Sequence, residues 1–176
     1  PRTARRGNTI AATGMLIAII STLYIGHILD FKLILIGILI GALIGGIASI
    51  KVEMTQMPQL VAIFNGFGGG SSALIASAEF LTDYNGESFT LLTILLSVII
   101  GTLTFSGSFI AFGKLQGLVS SKPITYTGQQ IINAFIFISL LIISGFLFIN
   151  SSQLNYFYFI IIIAVIIGIT LTIPIG

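Results

Sequence analysis

With 176 residues, 56% of them hydrophobic and only 7% charged, this chain is too poor in charge to clothe a soluble core, since ordinary globular domains carry about 25% charged residues. The absence of cysteine excludes disulfide frameworks, thiol catalysis and thiolate metal sites, and a single histidine with five scattered carboxylates offers no metal cluster. A net charge of +2, with the basic residues at segment ends, gives no face for nucleic acid.

The expected fold class is therefore all-α, a polytopic helical membrane protein with about six transmembrane helices. Residues 1–7 form a basic lead-in. It is not expected to introduce a cleavable signal, because the apolar stretch that follows is already of spanning length. Asn8 is an N-cap candidate for the first span, 8–26. His27, Asp30 and Lys32 connect it to the second span, 33–50, in which Gly37, Gly41 and Gly45 recur every four residues. In lipid that spacing lets a neighbouring helix approach closely, so these glycines are read as a packing seam. His27 is the one side chain that titrates near physiological pH unperturbed, at the end of its span, where an interfacial residue is the plain reading.

The third span, 58–81, is entered through Met57-Pro58, a proline whose fixed φ and missing N–H suit a helix start. No charge follows Pro58 until Glu79, a length of roughly 30 Å at 1.5 Å per residue. Asn65 lies two turns inside, where an uncompensated polar group is costly and so is a functional candidate. Its amide can hold a water or orient an ionisable neighbour, or it can simply bond an adjacent helix. Gly66, Gly68, Gly69 and Gly70 superficially look like a phosphate-binding loop, but no strand precedes them and the run continues as SSALIASA. Gly66 and Gly70 are read instead as sites of close helix contact. Glu79, near the far interface, is either the mouth of a proton path or a solvated helix end.

The fourth span, 90–113, turns hydroxylated in its second half, with Thr102, Thr104, Ser106 and Ser108. A serine in a membrane helix can satisfy itself against a carbonyl one turn back. Ser106 and Ser108 nevertheless stand at a depth comparable to Asn65, which allows a shared polar path. A connection holding Lys114, Lys122 and Pro123 is too short for a domain. Spans 130–149 and 155–174 are rich in Ile and Phe and are expected to pack or to face lipid. Arg2, Arg5, Arg6, Lys51, Lys114 and Lys122 collect on one side and Lys32 alone on the other, so both ends of the chain are expected on the cytoplasmic or matrix side. The opening proline and the closing IPIG turn are read as marks of a fragment of a larger polypeptide.

The run KVEMTQMPQLVAIFNGFGGGSSALIASAE, with TFSGSFIAFGKLQG, SSKP, the opening TARRGN and the closing LTIPIG, closely resembles the membrane domain of the beta subunit of proton-translocating NAD(P) transhydrogenase. The resemblance runs in order along nearly the whole chain and corresponds to the second to seventh of the family's spans. It implies proton translocation coupled to hydride transfer between NADH and NADP, the hydride chemistry belonging to soluble nucleotide-binding domains absent from this chain. No cofactor is expected on this segment, while NAD and NADP are implied for the full complex. The implied partners are the alpha subunit, the rest of the beta subunit, membrane lipid and a second copy of the whole complex, with no nucleic acid. The implied location is the bacterial, or mitochondrial, inner membrane. Asn65 falls where the family has histidine or asparagine in its proton path, and Ser108 matches a serine near that path. With asparagine at 65, His27 becomes a candidate proton carrier, and Ser106 and Glu79 remain candidates on the same path. Two other readings predict different behaviour: a structural subunit whose polar residues only pack helices, and a small secondary transporter with a substrate site at the glycine-rich span.

Overall fold

The computed structural model describes residues 2–25, 31–82, 84, 86–150 and 153–175. Among them are six α-helices, one 3₁₀ turn and no strand: α1 (Arg2–Ile25), α2 (Phe31–Lys51), the 3₁₀ turn (Met54–Gln56), α3 (Met57–Thr82), α4 (Ser88–Leu115), α5 (Gln129–Ile149) and α6 (Leu154–Thr172). All six helices are long and apolar enough to cross a membrane. That is the form lipid demands, because a helix satisfies its backbone polar groups within itself. The chain is thus all-α and polytopic, as its composition requires.

The chain divides into two units, Pro1–Lys51 and Val52–Gly176. In the first, α1 starts at Arg2 rather than after Asn8, which lies inside the helix and caps nothing. Ala4, Arg5 and Arg6 are good helix formers, and a helix need not end where the lipid does. Thr13 and Thr22 donate to the carbonyls of Thr9 and Ala18 at 2.8 and 2.9 Å, and Ser49 to that of Gly46 at 2.8 Å, so these hydroxyls are satisfied by their own helices. Among the described residues, and apart from the chain neighbours and backbone of its own helix, no atom comes within 4 Å of where a Cβ on Gly37, Gly41 or Gly45 would stand.

In the second unit α4 is the central helix, with α3 on one side and α6 on the other, while α5 packs on α6. Pro58 is the second residue of α3, in the turn whose N–H groups have no partner in the helix. Gly86, at φ 88°, takes the left-handed conformation that lets the chain reverse from α3 into α4. The α3 and α4 helices run antiparallel, with Gln59 near Leu115, Asn65 opposite Ser108 and Gly69 opposite Gly101. The α4 and α6 helices run parallel, with Gly107 opposite Gly168 and Lys114 against the chain following α6.

Packing differs along the bundle. At the end that holds Glu79, large side chains fill the core: Phe80 stacks on Phe157 at 4.3 Å between centroids, among buried Leu91, Ile94, Leu147 and Ile160. Towards the middle, glycines replace them. A Cβ on Gly69 would stand 2.7 Å from the Gly101 carbonyl oxygen, and one on Gly168 would meet the Leu103 carbonyl at 2.5 Å. Lipid provides no hydrophobic drive for helix association, so this backbone-to-backbone approach and the contacts it allows hold the helices together.

Candidate functional site

On α3, Gly66, Gly69, Ala73, Ala76 and Phe80 step by three and four residues and form the seam against α4, each buried or half-buried. Asn65 lies one position off that seam, so its side chain emerges at the seam's edge. There its Nδ2 donates to the Oγ of Ser108 at 2.8 Å. The absence of a side chain on Gly66 permits this approach, since a Cβ there would press on Ser108 Cβ and the Phe109 ring at 3.2 Å. The pair lines a cleft of about 650 Å³ with Met54, Pro58, Val61 and Ala111, at the α3 N-terminal end of the hairpin.

Asn65 read as a buried amide, but the described residues leave it exposed, whereas Ser108 is buried. Depth along a helix does not set burial; the face does, and Asn65 is on the flank of the seam. The side-chain carbonyl of Asn65 and the hydroxyl proton of Ser108 remain available, so the pair can accept from and donate to water.

The other candidates are placed differently. Ser106, two residues before Ser108 and so about 200° round the helix, is buried on the α6 side beside Gly168. It donates to the carbonyls of Thr102 and Leu103 at 3.0 and 3.3 Å. The structure does not bring it to Asn65. Glu79 is exposed and lines a separate cleft of about 280 Å³ with Ser72, Thr93 and Ser97. It stands about 21 Å along α3 from Asn65 at 1.5 Å per residue. His27 lies outside the described residues. Gly70 approaches the Phe105 ring, 2.8 Å from where its Cβ would stand.

Two residues escaped the sequence reading. Lys114, counted only as a loop charge, is 9% exposed, and its Nζ donates to the carbonyls of Ile173 and Ile175 at 2.5 Å each. It thus caps the end of α6, where carbonyls lack helical partners and the helix dipole favours a cation. Gln59 donates through Nε2 to the Leu115 carbonyl at 3.3 Å, tying the start of α3 to the end of α4. Only the pairing of helices brings these partners together, so no local sequence signal announces them. Among the described residues no group of three or more His, Cys, Asp or Glu could hold a metal ion. The side chains at Asn65 and Ser108 are suited to hydrogen-bonding water.

A family model described as NAD(P) transhydrogenase beta subunit matches residues 1–176. The chain is 39% identical over 141 residues to the NAD(P) transhydrogenase subunit beta of Rhodospirillum rubrum, covering 74% of this chain and 30% of that protein. A protein of the same name from a designated strain of that species matches to the same extent. The chain therefore spans about 30% of the length of the curated relatives it matches. Six spanning helices and a family match that runs from the first residue to the last lead to one assignment: the chain is a multi-pass membrane protein of the NAD(P) transhydrogenase beta subunit family.

Proposed function

We propose that this chain is the proton-conducting membrane part of an NAD(P) transhydrogenase, working with an alpha subunit and with nucleotide-binding domains that lie outside these residues and pass hydride between NADH and NADP. The observation that carries the proposal is the Asn65–Ser108 hydrogen bond, 2.8 Å long, in a cleft between α3 and α4. An amide does not hold a proton at neutral pH, but it can order a water against a hydroxyl and so fix where a proton waits. A change in nucleotide occupancy elsewhere in the complex then alters access to that water, a linkage between two sites rather than chemistry on this chain.

In this reading both ends of the chain face the cytoplasm or matrix, the membrane is a bacterial or mitochondrial inner membrane, and the whole complex is a homodimer. His27 is a proposed titrating partner for the path. The test is Asn65→Leu in the complete complex. Interhelical hydrogen bonds in membranes average about 0.6 kcal/mol, too little for its loss to dismantle the bundle. The expected result is a complex that assembles normally and has lost most of its proton-coupled transhydrogenation. Coupled rates equal to the unaltered complex would overturn the proposal, and lowered thermal stability with coupling intact would assign the pair to helix packing.

A further inference from the structure

Most serine and threonine hydroxyl groups of the second unit's helices bond back to their own helix, and a minority do not. Ser71, Ser77, Thr82, Thr93, Ser106, Ser139, Ser144, Thr170 and Thr172 each donate to a carbonyl three or four residues earlier. That is the inexpensive way to hide a hydroxyl from lipid. The hydroxyls of Ser72, Ser97, Thr102 and Thr104 make no hydrogen bond among the described residues, and Ser108 accepts from Asn65 without bonding back to its helix. A hydroxyl that forgoes its own helix in a low-dielectric setting needs another partner.

Ser72, Ser97, Thr104 and Ser108 lie on one side of the α3–α4 seam, whereas Thr102 faces the other. Ser72 and Ser97 line the cleft that holds Glu79, and the same two residues with Thr104 line a second cleft of about 280 Å³. Thr104 and Ser108 are one turn apart on α4, so this cleft and the one containing Asn65 are neighbours along the helix. On the opposite side of the seam, beside α6, lies a cavity of about 270 Å³ whose surface is mostly apolar, although the hydroxyl residues Ser77 and Thr102 stand in its lining beside Phe105, Ile161 and Val165. The hairpin thus has one flank richer in polar surface and one that is mostly apolar.

Resting on the proton-path reading of Asn65 and Ser108, we infer that the groove from Ser108 through Thr104, Ser97 and Ser72 to Glu79 holds a chain of water molecules and forms the half of the proton path on the Glu79 side of the membrane. The hydroxyls, each able to donate and accept, bond those waters in place of a carbonyl one turn back. Glu79, exposed at the far end of the groove, marks its mouth. The α6 side stays dry and takes no part.

The native chain contains no cysteine, so single cysteines report on this chain alone. In the complete complex in membrane vesicles, with cysteines of the other segments removed, Ser72→Cys and Ser97→Cys are exposed to a charged, membrane-impermeant thiosulfonate from the Glu79 side. They should react at least ten-fold faster than Ser77→Cys and Val165→Cys on the α6 side. Rates within two-fold of those controls would overturn the inference. In parallel, the triple variant Ser72→Ala, Ser97→Ala, Thr104→Val should lower proton-coupled turnover at least ten-fold while Thr102→Val does not. A triple variant with native coupled turnover would also overturn it. Asn65→Leu separates the two levels. If it uncouples the complex while the thiols stay inert, the water-filled groove alone is wrong. If it leaves coupling intact, the reading of Asn65 and Ser108 falls, and with it the assignment of the groove to a proton path.

Discussion

The closest approach of α3 to α4 sets the distance between Asn65 and Ser108, so an added methyl group at that crossing should act on both stability and coupling. A Cβ on Gly101 would stand 2.6 Å from the Gly69 carbonyl oxygen and 2.8 Å from the Ala73 amide nitrogen. Both are backbone atoms and cannot turn aside as a flexible side chain would. Restoring ordinary contact at 3.4 Å requires the helices to part by about 0.8 Å at that point. Carried along two nearly rigid helices, the same displacement takes the Asn65–Ser108 bond from 2.8 Å to about 3.6 Å, outside hydrogen-bonding range. Overpacking of this kind costs about 1–3 kcal/mol, offset by about 0.5–1 kcal/mol from replacing a helical glycine with alanine. Gly101→Ala should therefore lower the melting temperature of the purified complex and reduce proton-coupled hydride transfer together. Gly68→Ala is the matched control, because nothing lies within 4 Å of its Cβ position, and it should be neutral or stabilising by up to about 1 kcal/mol. If Gly101→Ala melts and couples like Gly68→Ala, the crossing does not govern the pair and the reasoning is refuted.

Two more perturbations probe the α4–α6 contact. Lys114→Met removes the cation that caps the Ile173 and Ile175 carbonyls. Hydrogen bonds to charged groups are worth about 1.5–3 kcal/mol, so thermal unfolding of the complex should shift down by a comparable amount, with a smaller shift for Lys114→Arg; equal melting of Lys114→Met and the native protein would contradict the cap. Gly168→Ala places a methyl against Ser106 Oγ and the Leu103 carbonyl and should destabilise by about 1–3 kcal/mol, measured by the same melt. Its companion Ser106→Ala, which frees space at that contact, should recover part of the loss, and a double variant no more stable than Gly168→Ala would show that the clash lies elsewhere.

Much of the architecture was legible in residue order. Six apolar stretches divided by His27–Lys32, Lys51–Gln56, Asp83–Glu87, Lys114–Gln129 and Asn150–Gln153 could be read off directly, because lipid permits one local solution, the helix, and hydrophobic length alone specifies it. Asn65 and Ser108 could likewise be named as candidates, since polar groups in apolar spans stand out by type and by their match to a family motif. The start of α1 was not legible, because helix and membrane boundaries differ and Ala4, Arg5 and Arg6 favour helix before the apolar stretch begins. Nor was the separation of Ser106 from Ser108, two residues apart and at one depth yet facing different helices.

What the sequence by itself determined, then, was the number, length and order of the spans and the residue types available at each depth. The tertiary structure decided which of those residues meet: Asn65 with Ser108 rather than Ser106, Lys114 with the end of α6, and Ser72, Ser97 and Thr104 on the flank of α3–α4 that α6 leaves uncovered. The physical reason is that hydrophobic length is a local property summed along one helix. The face a residue presents depends on helix register and crossing, which here rest on backbone contacts between glycines distant in the chain, Gly69 with Gly101 and Gly107 with Gly168.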